Sequence, residues 1–165
     1  MDNPFLEILI ILLLIIINGV FSMSEIAIVS SRKVRLQQKA DDGDKDAQAA
    51  LALTEEPNRF LSTVQIGITL IGTLTGALGG ATLANRLALI LATIEPLEPY
   101  AVGISFALIV IATTYFQLVL GELIPKRLGM NNPDGITLTV SRPMHFLSKI
   151  TSPLVSLLSS STDLG

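Results

Sequence analysis

Three apolar blocks, with the charges gathered between them, constrain this chain more than any other feature. The first runs from Phe5 to about Ser30 around LEILIILLLIIINGVF, the second from Phe60 to about Ile94, and the third from about Tyr100 to Gly121. Roughly 20 apolar residues cross a bilayer as a helix. The pattern therefore predicts an all-α membrane domain with three transmembrane helices. Of the 165 residues, 50% are hydrophobic and 15% charged, where a soluble domain carries about 25% charged residues. The mean hydropathy is +0.62. The same composition excludes disorder, coiled coil and collagen.

The first block is not a signal peptide on its flanks: no Lys or Arg precedes it and no A-x-A pattern follows. The second block, at 35 residues, exceeds one span. Its Gly79-Gly80 pair predicts a break, with residues 60–79 spanning and 81–94 forming a shorter helix toward the outer leaflet. A weaker stretch, residues 136–158, interleaves apolar and polar residues around Pro143 and Pro153. It reads as amphipathic helices in a juxtamembrane belt, with a fourth span as the alternative.

Charge sets the orientation. Six of the eleven basic residues lie between spans one and two (Arg32, Lys33, Arg35, Lys39, Lys45, Arg59), and four follow span three (Lys126, Arg127, Arg142, Lys149). The Ile94–Tyr100 loop carries Glu95 and Glu98 and no base. Three spans put both basic regions on one side, so the positive-inside rule gives an outside N-terminus and a cytoplasmic C-terminus. Between spans one and two, residues 31–58 predict two short soluble helices, the second ended by Pro57. The aspartates of ADDGDKD lack the calcium-loop order and read as a solvated turn. The final SSSTDLG has no stop signal, so a longer protein is expected.

Several functions are excluded by what the chain lacks. It has no cysteine and one histidine, His145. That leaves no thiolate site and no multi-histidine zinc or haem site. A net charge of −3 and the absence of Trp disfavour nucleic acid as a partner. No nucleophile–base pair is evident, so the chain does not read as an enzyme.

Polar groups inside hydrocarbon are costly and mark function or packing. Span one ends in NGVFSMSE, with Asn18, Ser22 and Glu25 on one side and Ser24 beside them. Glu25 at headgroup level is the plainer reading of that residue. Span two carries a Gln65, Thr69, Thr73 stripe and a Gly72, Gly76, Gly80 stripe. The glycines read as a packing seam, with the hydroxyls facing the same interior as neutral oxygen ligands. Span three closes on Thr114, Gln117, Gly121, Glu122 and Pro125. Pro125 has no N–H and clashes with the carbonyl four residues back, which belongs to Gly121. A released carbonyl beside a carboxylate at a helix end is a cation site in outline. The bland alternative is a helix terminator with interfacial charges. Hard oxygen ligands without sulfur or imidazole suit Mg²⁺, Ca²⁺ or Na⁺.

FSMSEIAIVSSRKVRL, NRFLSTVQIGITLIG and GELIPKRLG, in this order and spacing, resemble the transmembrane domain of the CNNM/CorC family across nearly all of residues 1–165. The resemblance implies a homodimeric, multi-pass protein of the bacterial plasma membrane. It implies Mg²⁺ efflux with Na⁺ as a possible coupling ion. A cytoplasmic CBS pair, the only route to ATP, is expected to follow. The metal ligands it implies are Ser22, Gly121 and Glu122. The G-N-x-x-x-N stretch of many relatives is replaced here by Gly67-Ile68-Thr69-Leu70-Ile71-Gly72, so Thr69 and Ser24 are expected to complete the shell. Two other readings stay open. One is a polyamine exporter with Glu25 and Glu122 as a carboxylate pair. The other is a membrane anchor and dimerisation module.

Overall fold

The computed structural model describes residues 3–162, so the last three residues of SSSTDLG lie outside the described residues. All regular structure among the described residues is helical. In chain order it comprises α1 (Pro4–Ser30), α2 (Lys33–Asp41), α3 (Lys45–Glu55), α4 (Pro57–Leu78), α5 (Ala84–Leu91), α6 (Ala101–Leu118), α7 (Ile124–Asn131), α8 (Pro133–Ile150) and α9 (Ser152–Thr162). A π turn at Gly79–Leu83 joins α4 to α5, a 3₁₀ helix at Glu95–Tyr100 leads into α6, and another π turn at Val119–Leu123 joins α6 to α7. Three stretches are long and apolar enough to cross a membrane: Pro4–Ser30, Pro57–Leu91 and Glu95–Asn131. Two details differ from the sequence expectation. Gly79-Gly80 does not stop the second helix, because a π turn absorbs the glycines and keeps the backbone bonded. Nor does Pro125 end the third, which stays helical to Asn131.

The packing divides into two compact units: residues up to Gly19 with Thr69–Ile124, and Val20–Ile68 with the residues from Pro125 onward. In the first, α5 packs on α6 through small buried residues: Ala84 and Ala88 on one side, Ala101 and Ser105 on the other. Gly79 and Gly80 continue this contact. A Cβ would stand 3.1 Å from Thr113 Cγ2 at Gly79 and 3.3 Å from Phe106 Cε2 at Gly80. The first turn of α1 is tied to α5 by an ion pair. Arg86 donates through Nε to Glu7 Oε2 at 3.1 Å and through Nη2 to Glu7 Oε1 at 3.2 Å. Glu7 is 7% exposed.

In the second unit, Ile28, Leu53, Phe60, Val64, Val140 and Met144 form one apolar cluster, and Leu36, Ala40, Ala47, Ala50 and Leu51 another. The belt of α2, α3 and α8 is stitched by polar cross-links. Arg35 Nη1 lies 3.2 Å from Asp134 Oδ2. Ser141 Oγ donates to the Asp46 carbonyl at 2.8 Å, and Arg142 pairs with the Asp46 carboxylate. The aspartate turn does local work: Gly43 takes φ +91°, and Asp44 caps α3 by accepting from Asp46 N and Ala47 N. Gly129 of α7 lies against α1, where a Cβ would stand 2.8 Å from the Met23 carbonyl. Gly129→Ala is therefore expected to cost about 1–3 kcal/mol by overpacking against backbone that has no rotamer to change. Thermal unfolding of the variant beside wild type measures this, and an unchanged midpoint would contradict the contact.

Candidate cation site

Of the five expected ligands the first unit holds Gly121, Glu122 and Thr69. In the π turn Val119–Leu123 the Ile124 N–H donates to the Val119 carbonyl, a five-residue bond in place of the α-helical four. Pro125 has no N–H to offer. The Gly121 carbonyl instead accepts from Asn18 Nδ2 at 2.9 Å. Glycine suits this close approach. A Cβ would stand 3.2 Å from Asn18 Nδ2 and 3.3 Å from the Ile15 carbonyl.

Two residues packed beside Gly121 each carry a buried oxygen without a partner. Asn18, 2% exposed, spends its amide N–H on Gly121, and its Oδ1 is buried with no hydrogen-bond partner. Gln117 Cδ would lie 3.5 Å from a Gly121 Cβ, and its Oε1 is likewise buried without a donor. A buried acceptor left unmatched costs about 1–3 kcal/mol. Two of them beside one carbonyl define a place where positive charge is wanted. Glu122, half-buried, follows Gly121 directly. Among the described residues no three of His, Asp and Glu cluster closely enough to hold a metal ion. A cation here would thus be held by one carboxylate and neutral oxygens.

The other expected ligands are placed as follows. Ser22 and Ser24 lie in the second unit and are fully buried. Ser24 Oγ donates to the Val20 carbonyl at 2.6 Å, the ordinary helix back-bond, whereas Ser22 Oγ has no partner. Thr69 belongs to the first unit but is exposed, as are Gln65 and Thr73. The buried positions of α4 include Phe60, Val64, Ile71 and Thr75, which turns the threonine stripe outward. Gly72 and Gly76 share that fate: a Cβ on either meets nothing within 4 Å. Hence, of the expected seam, only Gly80 packs within this chain, against Phe106, while Gly72 and Gly76 meet nothing. Glu25 is partnered, its Oε2 4.0 Å from Lys126 Nζ. Gln117 is the residue that sequence reasoning noticed without assigning as a ligand. Its spacing of four residues before Gly121, on the same helical face, was the available signal.

Residues 9–164 match the family model described as the cyclin M (CNNM) transmembrane N-terminal domain. The chain belongs to this family. The CNNM domain is 54% identical over 158 residues to a UPF0053 protein of Synechocystis, covering 96% of this chain and 35% of that protein. It is 35% identical over 149 residues to the polyamine export protein of Escherichia coli K12, covering 90% of this chain and 33% of that one. It is 31% identical over 156 residues to the UPF0053 protein YugS of Bacillus subtilis, covering 94% and 36%. The chain thus spans about a third of the length of these relatives. Its three long apolar helices and this family make it a multi-pass membrane domain.

Proposed function

We propose that this CNNM domain carries a cation across the membrane and that Mg²⁺ is the cation. What supports the reading most is the pair of buried, unmatched oxygens, Asn18 Oδ1 and Gln117 Oε1, beside the Gly121 carbonyl. Glu122 would supply charge and the three neutral oxygens the rest of the cage, a set suited to a hard cation. When an ion arrives, the Asn18 amide has to turn from donor to acceptor, exchanging its bond to Gly121 for ligation. Ser22, Ser24 and Thr69 are proposed as further ligands on the family resemblance alone. Na⁺ coupling, a homodimer and a following CBS pair are proposed on the same ground, with no catalytic step.

The test is a Mg²⁺ titration followed by thermal stability, wild type beside Glu122→Gln. A ligand bound only by the folded state adds about 2.7 kcal/mol at roughly 100 times its Kd. The expected result is a shift in wild type that Glu122→Gln abolishes. Equal shifts in both would overturn the site.

A polyamine is the second reading. Glu25 already faces an alkylammonium, the Lys126 amine at 4.0 Å, and several relatives bear the name of a polyamine export protein. On this reading putrescine, not Mg²⁺, produces the shift, and Glu25→Gln reduces it.

A further inference from the structure

A polar cavity, of about 430 Å³, opens on the second unit between the start of α4 and α9. Its lining is of one chemical kind. Asn58, Arg59 and Ser62 come from α4, and Ser152, Ser156 and Ser160 from α9, over a floor of Val155. The three serines recur every four residues and so form a row on one face of α9. No carboxylate lines the cavity. Among the described residues, the side chains of Asn58, Ser62, Ser152 and Ser156 make no hydrogen bond to the protein. Ser160 donates to the Ser156 carbonyl at 2.8 Å. Arg59 is the one cation. Its Nη1 pairs with Glu56 at 3.0 Å and its Nη2 donates to the Ser148 carbonyl at 3.3 Å, while Nε is buried without a partner. Glu56 lines a different cavity, with Glu55, His145 and Lys149. Both α4 and α9 also begin here, and helix starts carry partial positive charge.

Hydroxyls, an amide and a guanidinium are the donor set of an oxyanion site; Glu56 holds Nη1 of Arg59 from outside the cavity lining and leaves Nε to an arriving anion. We propose that this cavity binds the phosphate of an anionic phospholipid headgroup. The lipid source is favoured by the rest of α9, where Leu154, Leu157 and Leu158 are 45%, 62% and 44% exposed. On α8 nearby, Phe146 and Ile150 are 64% and 58% exposed. Helices of this pattern lie in the interface with the apolar face in the acyl boundary. That holds the serine row and Arg59 at headgroup depth, on the side where the positive-inside rule places the chain's bases.

The experiment measures binding of short-chain phosphatidylglycerol to the full-length protein in an uncharged detergent. A lipid of the same chains with an uncharged sugar headgroup and inorganic phosphate are run beside it. Phosphatidylglycerol is expected to bind, the sugar lipid not to bind, and inorganic phosphate to compete weakly. Arg59→Gln is expected to weaken phosphatidylglycerol about tenfold. Because Arg59 also holds Ser148, the double variant Ser62→Ala/Ser156→Ala, which breaks no observed bond, is measured in parallel and should lose about fivefold. Unchanged affinity in the double variant overturns the proposal, as does equal binding of the sugar lipid. Phosphate binding without lipid binding overturns the lipid assignment and leaves a free-phosphate site.

Discussion

Arg86→Leu is expected to cost about 3–5 kcal/mol of stability, because it leaves a buried carboxylate without its cation. Glu7 is 7% exposed and both its oxygens are taken by the Arg86 guanidinium. Glu7→Leu alone should cost less, since the arginine side chain is 37% exposed and its head can reach the interface. The double variant Glu7→Leu/Arg86→Leu should return close to wild type, because replacing both partners of a buried pair by apolar groups is often neutral. Thermal unfolding of the four proteins completes the cycle. If the double variant loses the sum of the two single losses, Glu7 and Arg86 are not coupled and the ion pair carries no stability.

Pro125→Ala is expected to move stability and cation binding in opposite directions. Alanine restores an N–H four residues after Gly121, so the Gly121 carbonyl regains a partner in its own helix. Removing proline from a helix interior should add about 1–3 kcal/mol, at or below the usual helical penalty for that residue. The same bond competes with Asn18 for the Gly121 oxygen and closes the π turn that presents it. Mg²⁺-dependent stabilisation should then fall by about tenfold or more in apparent affinity, the worth of roughly one ligand bond to a charge. A Mg²⁺ titration by thermal stability reads both effects. A stabilised variant with undiminished Mg²⁺ response would show that the carbonyl is not a ligand.

Much of this was legible in the residues. Span number, the two short helices before α4 and the amphipathic belt follow from apolar runs, Pro57 and the charge split. The release of the Gly121 carbonyl follows from Pro125 alone, since the missing N–H is a local fact. The face of α4 was not legible: a stripe spaced by four has a partner stripe on every side, and only packing chose Phe60, Val64, Ile71 and Thr75 as the inner one. The Glu7–Arg86 pair left a faint trace. Each is an isolated charge in an apolar block, and opposite isolated charges in hydrocarbon tend to find each other. Nothing in the sequence gives the distance between them, 79 positions apart. The role of Gln117 also stayed hidden, because an amide's unmatched oxygen is visible only once its neighbours are placed.

Each π turn behaves as an α-helix that has taken in one extra residue. An added residue advances the helical phase by about 100°. The side of the third helix that faces inward before Val119 is therefore not the side that continues after Leu123. The proposed site sits on the added residue: losing one residue anywhere in Val119–Leu123 would mend the helix and keep its hydropathy, yet rotate Gly121 and Glu122 out of phase with Asn18. A relative with a gap of a single position there is expected to keep the fold without the proposed ion site.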